Sequence, residues 1–270
     1  MNIGRINPDP EFKYTLCGKE LEVVDEEKDI GVYIDRNLSF DRHISEKVKK
    51  ANSMFAVLRR SFNHLDENIF APLYKSLVRT HLEYASSVWA PFKMKHIEML
   101  EKVQRRATRQ LPGLANLSYQ DRLIKLKLPS LVYRRYRGDM IEVFKILTGK
   151  YDTATDKFLK LRSECAERQG GRGNSMKLYA QRSRLELRKN SFGIRTAHIW
   201  NSLPEVVISA NTINSFKNRL DKYWKNQEVL YDYKATLRTG TKVVSLEDIY
   251  NIEESSKEEP NGPALEIYAK

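Results

Sequence analysis

The sequence has few of the residues that build disulfide-rich, loop-rich or membrane-spanning proteins. Its two cysteines among 270 residues exclude a disulfide framework and a four-thiolate zinc site. Glycine and proline, at 12 and 9 residues, are too scarce for a loop-rich β architecture. The longest uncharged stretches, 110–120 and 206–216, have eleven residues each, whereas a bilayer span needs roughly 20. With no apolar signal core at its N-terminus, the chain is expected to be intracellular (nucleus or cytoplasm), without a membrane partner.

Positive charge is plentiful but unevenly distributed. The chain has 47 Lys and Arg against 35 Asp and Glu, a net charge of +12. Residues 241–270 contain three lysines and seven acidic residues, so that segment carries −4 and residues 1–240 carry +16. Such a basic body attracts polyanions through counterion release, which does not depend on nucleotide sequence. A solvated basic surface without a partner would have the same composition.

Two periodicities predict a mainly α-helical fold with a small N-terminal antiparallel β hairpin sheet. Residues 12–34 alternate with period two, and Gly18-Lys19 can turn the chain between strands. From Asp41 the apolar period becomes 3.6. The first helix has one apolar face, made of Ile44, Val48, Ala51, Phe55 and Leu58. The sequence therefore predicts strands first and helices afterwards.

Later helices are predicted from apolar spacing and from residues that begin or end helices. The second helix, from about residue 70 into the eighties, has Leu73, Leu77 and Val78 as apolar members. The third has an inward face of Ile97, Leu100, Gln104, Ala107 and Leu111. Expected starts, kinks and ends lie at Pro72, Pro112-Gly113, Ser118, Ser130, Gly149, Leu203-Pro204 and Asn211.

The outer face of the third predicted helix is the main candidate for a binding site. Lys102, Arg105, Arg106 and Arg109, named the basic stripe below, span two helical turns. Their head groups can follow one phosphate backbone and give affinity without base readout. The alternative is a solvated face on which Glu101 pairs with Arg105 at i,i+4. We favour phosphate binding.

Two further sets of basic residues are candidates. On the first helix, phosphate binding is favoured for Arg42, Lys49 and Arg60. On the helix after Pro129, phosphate binding and a solvated face are equally favoured for Arg134, Arg137 and Lys145. The segment RQGGRGNS at 168–175 is interpreted equally well as a nucleic-acid clamp or as a linker.

Other residue types indicate packing rather than catalysis or metal binding. The five histidines include no i,i+4 pair and have no cysteine at ligand spacing, so no zinc site is expected. Cys17 is predicted to be a buried strand thiol and Cys165 an inert loop thiol. Four aromatic residues are predicted to fill cores rather than to stack on bases: Trp89, Trp200, Tyr84 and Phe92.

Five segments in sequence order carry a family resemblance. They are KDIGVYIDRNLSFDRHI at 28–44, LVRTHLEYASSVWAP at 77–91, HIEMLEKVQRRATRQLPG at 96–113, LPSLVYRRYRGDMIEVFKILTG at 128–149 and FGIRTAHIWNSLPEVVISANTINSFKNRLD at 192–221. In this order they resemble the C-terminal part of a non-LTR (LINE-type, jockey-like) retrotransposon reverse transcriptase. The resemblance extends over about 195 of the 270 residues.

The resemblance implies a domain organisation. Residues 1–40 would be a palm remnant with the primer-grip hairpin, and residues 41–111 the helical thumb. Residues 112–230 would form a helical post-thumb region with a basic loop near 165–175. Composition predicts that residues 231–270 are an acidic disordered tail. The implied partners are RNA and DNA as a primer–template duplex, together with the missing palm and fingers of the parent polymerase.

The catalytic chemistry of the family is not expected in this chain. Nucleotidyl transfer uses carboxylates that hold two divalent ions, Mg²⁺ in the parent enzyme, and the sequence contains no Asp-Asp pair. The chain is therefore predicted to bind nucleic acid as a polymerase fragment, without a cofactor and without enzymatic activity of its own. Two alternatives stay open: a helical protein-interaction module derived from a retroelement remnant, and a pseudogene product that folds poorly.

Overall fold

The computed structural model describes residues 3, 13–62, 65–151, 159–164 and 176–240. The predicted fold class is confirmed, because the described chain is mainly helical and begins with small antiparallel strands. The described residues fall into two compact units. The first unit lies within Met1–Gly138, Arg182–Phe192 and Glu228–Thr236, and the second within Asp139–Gln181, Gly193–Gln227 and Leu237–Lys270. Among the described residues, no helix is long and apolar enough to cross a membrane.

The N-terminal strands form two separate hairpins rather than one sheet. They are β1 (Thr15–Leu16) with β2 (Lys19–Glu20), and β3 (Glu26–Asp29) with β4 (Val32–Asp35). Each hairpin closes through a two-residue loop in which both residues have positive φ, as type I′ turns require. The first loop is Cys17-Gly18, one residue before the predicted Gly18-Lys19 turn. Cys17 is consequently exposed at a turn, and the prediction of a buried strand thiol is wrong.

The helices of the first unit follow the predicted order. They are α1 (Asp41–Ser61), α2 (Glu67–Leu73), a π-helical turn (Tyr74–Val78), α3 (Arg79–Glu83), α4 (Ser86–Trp89), α5 (Met94–Arg109), α6 (Tyr119–Lys125) and the first half of α7 (Leu131–Leu147). Pro72 lies inside α2, and the π-helical turn begins two residues later. A π-helical turn is expected there because proline removes an intrahelical hydrogen bond and disturbs the regular helix. The buried positions recur every four residues through this turn, at Phe70, Tyr74, Val78 and Leu82, so Leu77, one of the predicted apolar members, is exposed.

The core of the first unit lies between α1, α5 and the segment from α2 to α3. The predicted apolar face of α1 is confirmed, since four of its five members are buried and Val48 packs against the core. Phe70 stacks on Tyr74 with ring centroids 5.4 Å apart, and it meets Phe55 edge-on at 6.5 Å. Trp89 closes the same core. This packing holds α5 with its outer face toward solvent.

Most predicted helix ends are confirmed by hydrogen bonds. The Ser118 hydroxyl accepts from the Asp121 amide at 3.1 Å, and the Ser130 hydroxyl accepts from the Tyr133 amide at 3.1 Å. Gly149 has a φ of 65° after the last turn of α7, where the left-handed region favours glycine. The cap predicted at Asn211 is wrong by one residue, because it is Thr212 whose hydroxyl accepts from the Ser215 amide.

The second unit is built around aromatic packing. Its helices are the second half of α7, a 3₁₀ turn (Arg162–Glu164), most of α9 (Phe192–Asn201), α10 (Glu205–Ile208) and α11 (Ile213–Tyr223). The short helix α8 (Glu186–Lys189) belongs to the first unit. Phe144 stacks on Phe216 at 4.4 Å, and Trp200 lies 5.9 Å from Phe216. The Trp200 indole donates to the Met176 carbonyl at 2.9 Å, which gives its polar atom a partner inside the core.

The segment after residue 228 is packed against the first unit. A 3₁₀ turn spans Glu228–Leu230, and Ser130 donates its hydroxyl to the Val229 carbonyl at 2.6 Å. Tyr233 is buried and Tyr231 packs against the core, so the prediction that a disordered tail begins at residue 231 is wrong for this stretch. Three other predictions concern residues outside the described ones: Cys165, the basic loop at 165–175 and the acidic tail at 241–270.

Candidate nucleic-acid interface

Helix α5 separates a basic outer face from a buried inner face, as predicted. The four side chains of the basic stripe are exposed, while the predicted inner face is buried from Leu100 onward and Ile97 is half-buried. The stripe residues follow an i, i+3, i+4, i+7 spacing, which extends about 10 Å along the helix axis. Four positive charges therefore lie on one side of one helix.

Glu101 does not neutralise the stripe. Its carboxylate is fully buried and accepts hydrogen bonds from the Leu131 amide at 2.6 Å, the Val132 amide at 3.2 Å and the Tyr119 hydroxyl at 2.6 Å. Burial raises the pKa of Glu101, and the hydrogen bond from Tyr119 opposes this effect. The alternative in which Glu101 pairs with Arg105 on a solvated face is wrong, because the carboxylate instead binds the free amides at the start of α7.

Arg105 is held in place by two tyrosine rings. Its guanidinium donates to the Tyr233 hydroxyl at 2.8 Å. The guanidinium carbon lies 5.1 Å from the centre of the Tyr119 ring and 5.4 Å from that of Tyr233, within the range of cation–π attraction. The side chain is thus ordered before any ligand arrives, which lowers the entropy lost on binding.

The stripe borders two surface depressions of the first unit. The larger, of about 580 Å³, is lined by all four stripe residues and by Gln110, Ala115, Leu117 and Arg122. The smaller, of about 220 Å³, lies toward α1 and is lined by Val48, Asn52, Met99, Lys102, Val103 and Arg106. Lys102 and Arg106 line both depressions, and no acidic side chain lines either one among the described residues. The surface is suited to an extended polyanion.

Arg122 is a member of this surface that sequence reasoning missed. It is only 4% exposed and is held by neutral groups: its Nε donates to the Thr108 hydroxyl at 3.2 Å and its Nη1 to the Leu117 carbonyl at 2.8 Å. Burial lowers the pKa of Arg122, and the neighbouring charges of Arg109 and Arg105 lower it further. Arg122 is one arginine in a short predicted helix, so no repeated basic spacing in the sequence indicates that it belongs to a binding surface.

The candidates on α1 are exposed, as predicted, but two of them have carboxylate partners. Arg42 forms an ion pair with Glu26 and lies 4.8 Å over the Tyr33 ring. Lys49 pairs with Glu46 at 2.7 Å. Arg60 forms no ion pair with any described residue. Arg42 and Arg60 are about 27 Å apart along the helix at 1.5 Å per residue, so these three side chains do not make one compact site.

The candidates on α7 are mostly engaged in structural ion pairs. Arg134 makes a two-pronged contact with Glu83, in which its Nη2 lies 2.8 Å from Oε2. Lys145 pairs with Glu142 at 2.8 Å and donates to the Tyr151 hydroxyl, contacts that raise the pKa of Lys145. Arg137 is half-buried. Since carboxylates already occupy Arg134 and Lys145, we leave all three residues out of the interface.

Two of the four aromatic predictions are confirmed. Trp89 and Trp200 are buried in cores. Tyr84 and Phe92 are 46% and 41% exposed, so the packing prediction is wrong for them. The Tyr84 hydroxyl donates to the Ile30 carbonyl at 2.8 Å, which gives this exposed ring a structural role.

Among the described residues, no three His, Cys, Asp or Glu side chains come together in a group able to hold a metal ion.

Comparison with known proteins adds one relative. An uncharacterized protein from Caenorhabditis elegans is 28% identical to this chain over 126 residues. The match includes 46% of this chain and 64% of that protein, so the chain spans less than two thirds of the relative's length. The chain matches no protein-family model. It also matches no solved structure.

Proposed function

We propose that this chain binds the phosphate backbone of nucleic acid, as the thumb and post-thumb part of a non-LTR retrotransposon RNA-directed DNA polymerase. One observation carries the proposal: the four exposed cations of the basic stripe lie on one face of α5 while the adjacent carboxylate, Glu101, is turned inward. The sequence resemblance supplies the polymerase context. The charges supply the binding.

The dimensions of the stripe suit a nucleic-acid strand. Each strand of a duplex carries one phosphate per about 3.4 Å of helix axis, so a stripe of about 10 Å spans about three intervals and matches about four successive phosphates. Lysine and arginine contacts of this kind position a duplex without reading its sequence. The binding is therefore proposed to be sequence-independent.

In the parent polymerase, this part would hold the primer–template duplex while the N-terminal hairpins lie near the primer end. The carboxylates that bind Mg²⁺ would belong to the missing palm, so the chain alone is proposed to bind without polymerising. The two charge-paired residues of α1, Arg42 and Lys49, would contribute less than the stripe because their carboxylate partners compete with phosphate.

The test measures duplex affinity by fluorescence anisotropy at several salt concentrations. For four phosphate contacts, log Kobs should fall with log salt with a slope of about −3.6. The combined change Lys102→Glu, Arg106→Glu and Arg109→Glu should bring the slope to about −0.9 or abolish binding. Arg105 is left intact because it also packs on Tyr119 and Tyr233.

A matched control changes the same amount of charge elsewhere. Arg182, Arg184 and Arg188 are exposed residues of the first unit outside α5, and their combined change to glutamate gives the same shift in net charge. The control should keep the steep salt dependence of the parent chain. Equal weakening by both variants would show that net charge rather than the stripe binds the duplex, and unchanged binding by the stripe variant would overturn the proposal.

A further inference from the structure

Arg122 is a buried cation without an anionic partner. In the described part of the chain no carboxylate lies within ion-pair distance of Arg122, Arg105 or Arg109. The neutral partners of Arg122, the Thr108 hydroxyl and the Leu117 carbonyl, use two of its five N–H groups. A buried, uncompensated guanidinium is unfavourable unless an anion pairs with it.

Three guanidinium groups converge on the larger depression. Arg122, Arg105 and Arg109 all line it. One ring sets the positions of two of them, since the Tyr119 centroid lies 5.7 Å from the Arg122 guanidinium carbon and 5.1 Å from that of Arg105. These like charges repel one another, and a bound oxyanion would remove that repulsion.

We infer that Arg122, Arg105 and Arg109 form a pocket that binds a single phosphate group. Arg122 lies at the base of this phosphate pocket and offers the N–H groups that its neutral partners leave free. Arg105 and Arg109 lie on its rim, and the planar guanidinium matches phosphate geometry better than an ammonium group does. The ligand class is a phosphate oxyanion, either an internal phosphodiester or a terminal monoester.

The inference deepens the proposed function but can be tested without nucleic acid. The thermal unfolding midpoint of the full chain is measured against inorganic phosphate, with chloride at matched ionic strength as reference. Ligand that binds only the folded state raises the midpoint with a concentration dependence that gives Kd. Phosphate also stabilises proteins non-specifically, so the pocket is assigned from the difference between variants.

Two variants and one control make that difference measurable. Arg122→Gln should weaken phosphate binding about tenfold or more, as expected for the loss of one charged hydrogen-bonding group. If Arg122→Gln does not fold, Arg109→Gln gives the same test, because Arg109 is exposed and its loss leaves the core intact. The control Arg182→Gln removes one exposed charge elsewhere and should bind phosphate as the parent does. Equal phosphate stabilisation in all variants would overturn the inference.

Short duplexes with and without a 5′ phosphate identify the source of the ligand. If Arg109→Gln weakens both duplexes equally, the pocket takes an internal phosphodiester. If it weakens only the phosphorylated duplex, the pocket takes a terminal monoester. Phosphate binding without stripe-dependent duplex binding would retain the pocket and remove the proposed function. Stripe-dependent duplex binding without phosphate binding would retain the proposed function and remove the phosphate pocket.

Discussion

Replacing Glu101 should be among the most destabilising single changes in the first unit. Its carboxylate accepts from the Leu131 and Val132 amides and from the Tyr119 hydroxyl, all in a buried environment. Glu101→Ala leaves these donors without an acceptor, at about 1–3 kcal/mol for each group that stays unsatisfied. It also removes the negative charge that interacts with the buried Arg135. We expect a total loss of about 4 kcal/mol, a large part of the 5–15 kcal/mol typical of a domain.

The size of the effect should depend on whether an acceptor remains. Glu101→Gln keeps the shape and one carbonyl oxygen, so its expected cost is about 1–2 kcal/mol. Urea unfolding followed by circular dichroism measures the loss, with hydrogen exchange at the Leu131 and Val132 amides as a local readout. A double-mutant cycle with Tyr119→Phe should give a coupling energy of about 1–3 kcal/mol.

Two results would refute this reasoning. If Glu101→Ala costs less than about 1 kcal/mol, the carboxylate is not the required acceptor for α7 and Tyr119. If glutamine and alanine at position 101 cost the same, the retained carbonyl oxygen has no effect and the hydrogen-bond account fails.

Further predictions concern the β3–β4 hairpin and His43, whose Nδ1 accepts a hydrogen bond from the Tyr33 amide at 3.2 Å. Burial and, to a smaller extent, the charge of Lys47 together lower the pKa of His43 from 6.5 to about 4. The unfolded chain therefore takes up this proton first, and stability should be fully present above pH 6.5 and fall by about 3 kcal/mol as the pH drops to 4. Urea midpoints at several pH values should show this loss in the parent and a smaller one in His43→Gln. Ile30 has a φ of 43° and is 82% exposed. Because asparagine adopts this left-handed conformation more readily than isoleucine, Ile30→Asn should stabilise the Ile30-Gly31 turn by about 1 kcal/mol. In the same urea assay, Ile30→Val should give no gain, because valine is also β-branched.

The helices could be predicted from the sequence because local spacing determines which face is buried. The apolar period of α1 and the alternation of basic and apolar residues along α5 are local patterns, and both faces are confirmed. In the sequence, Glu101 enters only the alternative of a solvated face, as an i,i+4 partner of Arg105. Its position three residues before Gln104 placed it on the inner face, and only its contacts with Tyr119 and α7 explain why burial is tolerated.

The rest of the candidate site depends on contacts that no local pattern encodes. Tyr233 meets Arg105 across a sequence separation of 128 residues, and Arg122 reaches Thr108 from a different helix. The contact of the Tyr84 hydroxyl with the Ile30 carbonyl in the β3–β4 hairpin likewise joins residues 54 positions apart. Sequence spacing predicts helix faces, while packing between elements decides the positions of the charged groups.

The contacts of the segment after residue 228 set a limit on how far the chain can be shortened from its C-terminal side. A fragment that stops at residue 227 would keep every helix from α1 to α11 yet expose the Ser130 hydroxyl and release the Arg105 side chain, because Val229 and Tyr233 would be missing. Expression designs for binding or crystallisation should therefore extend through at least residue 236, the last residue assigned to the first unit. Weak binding by a shorter fragment would reflect this lost support.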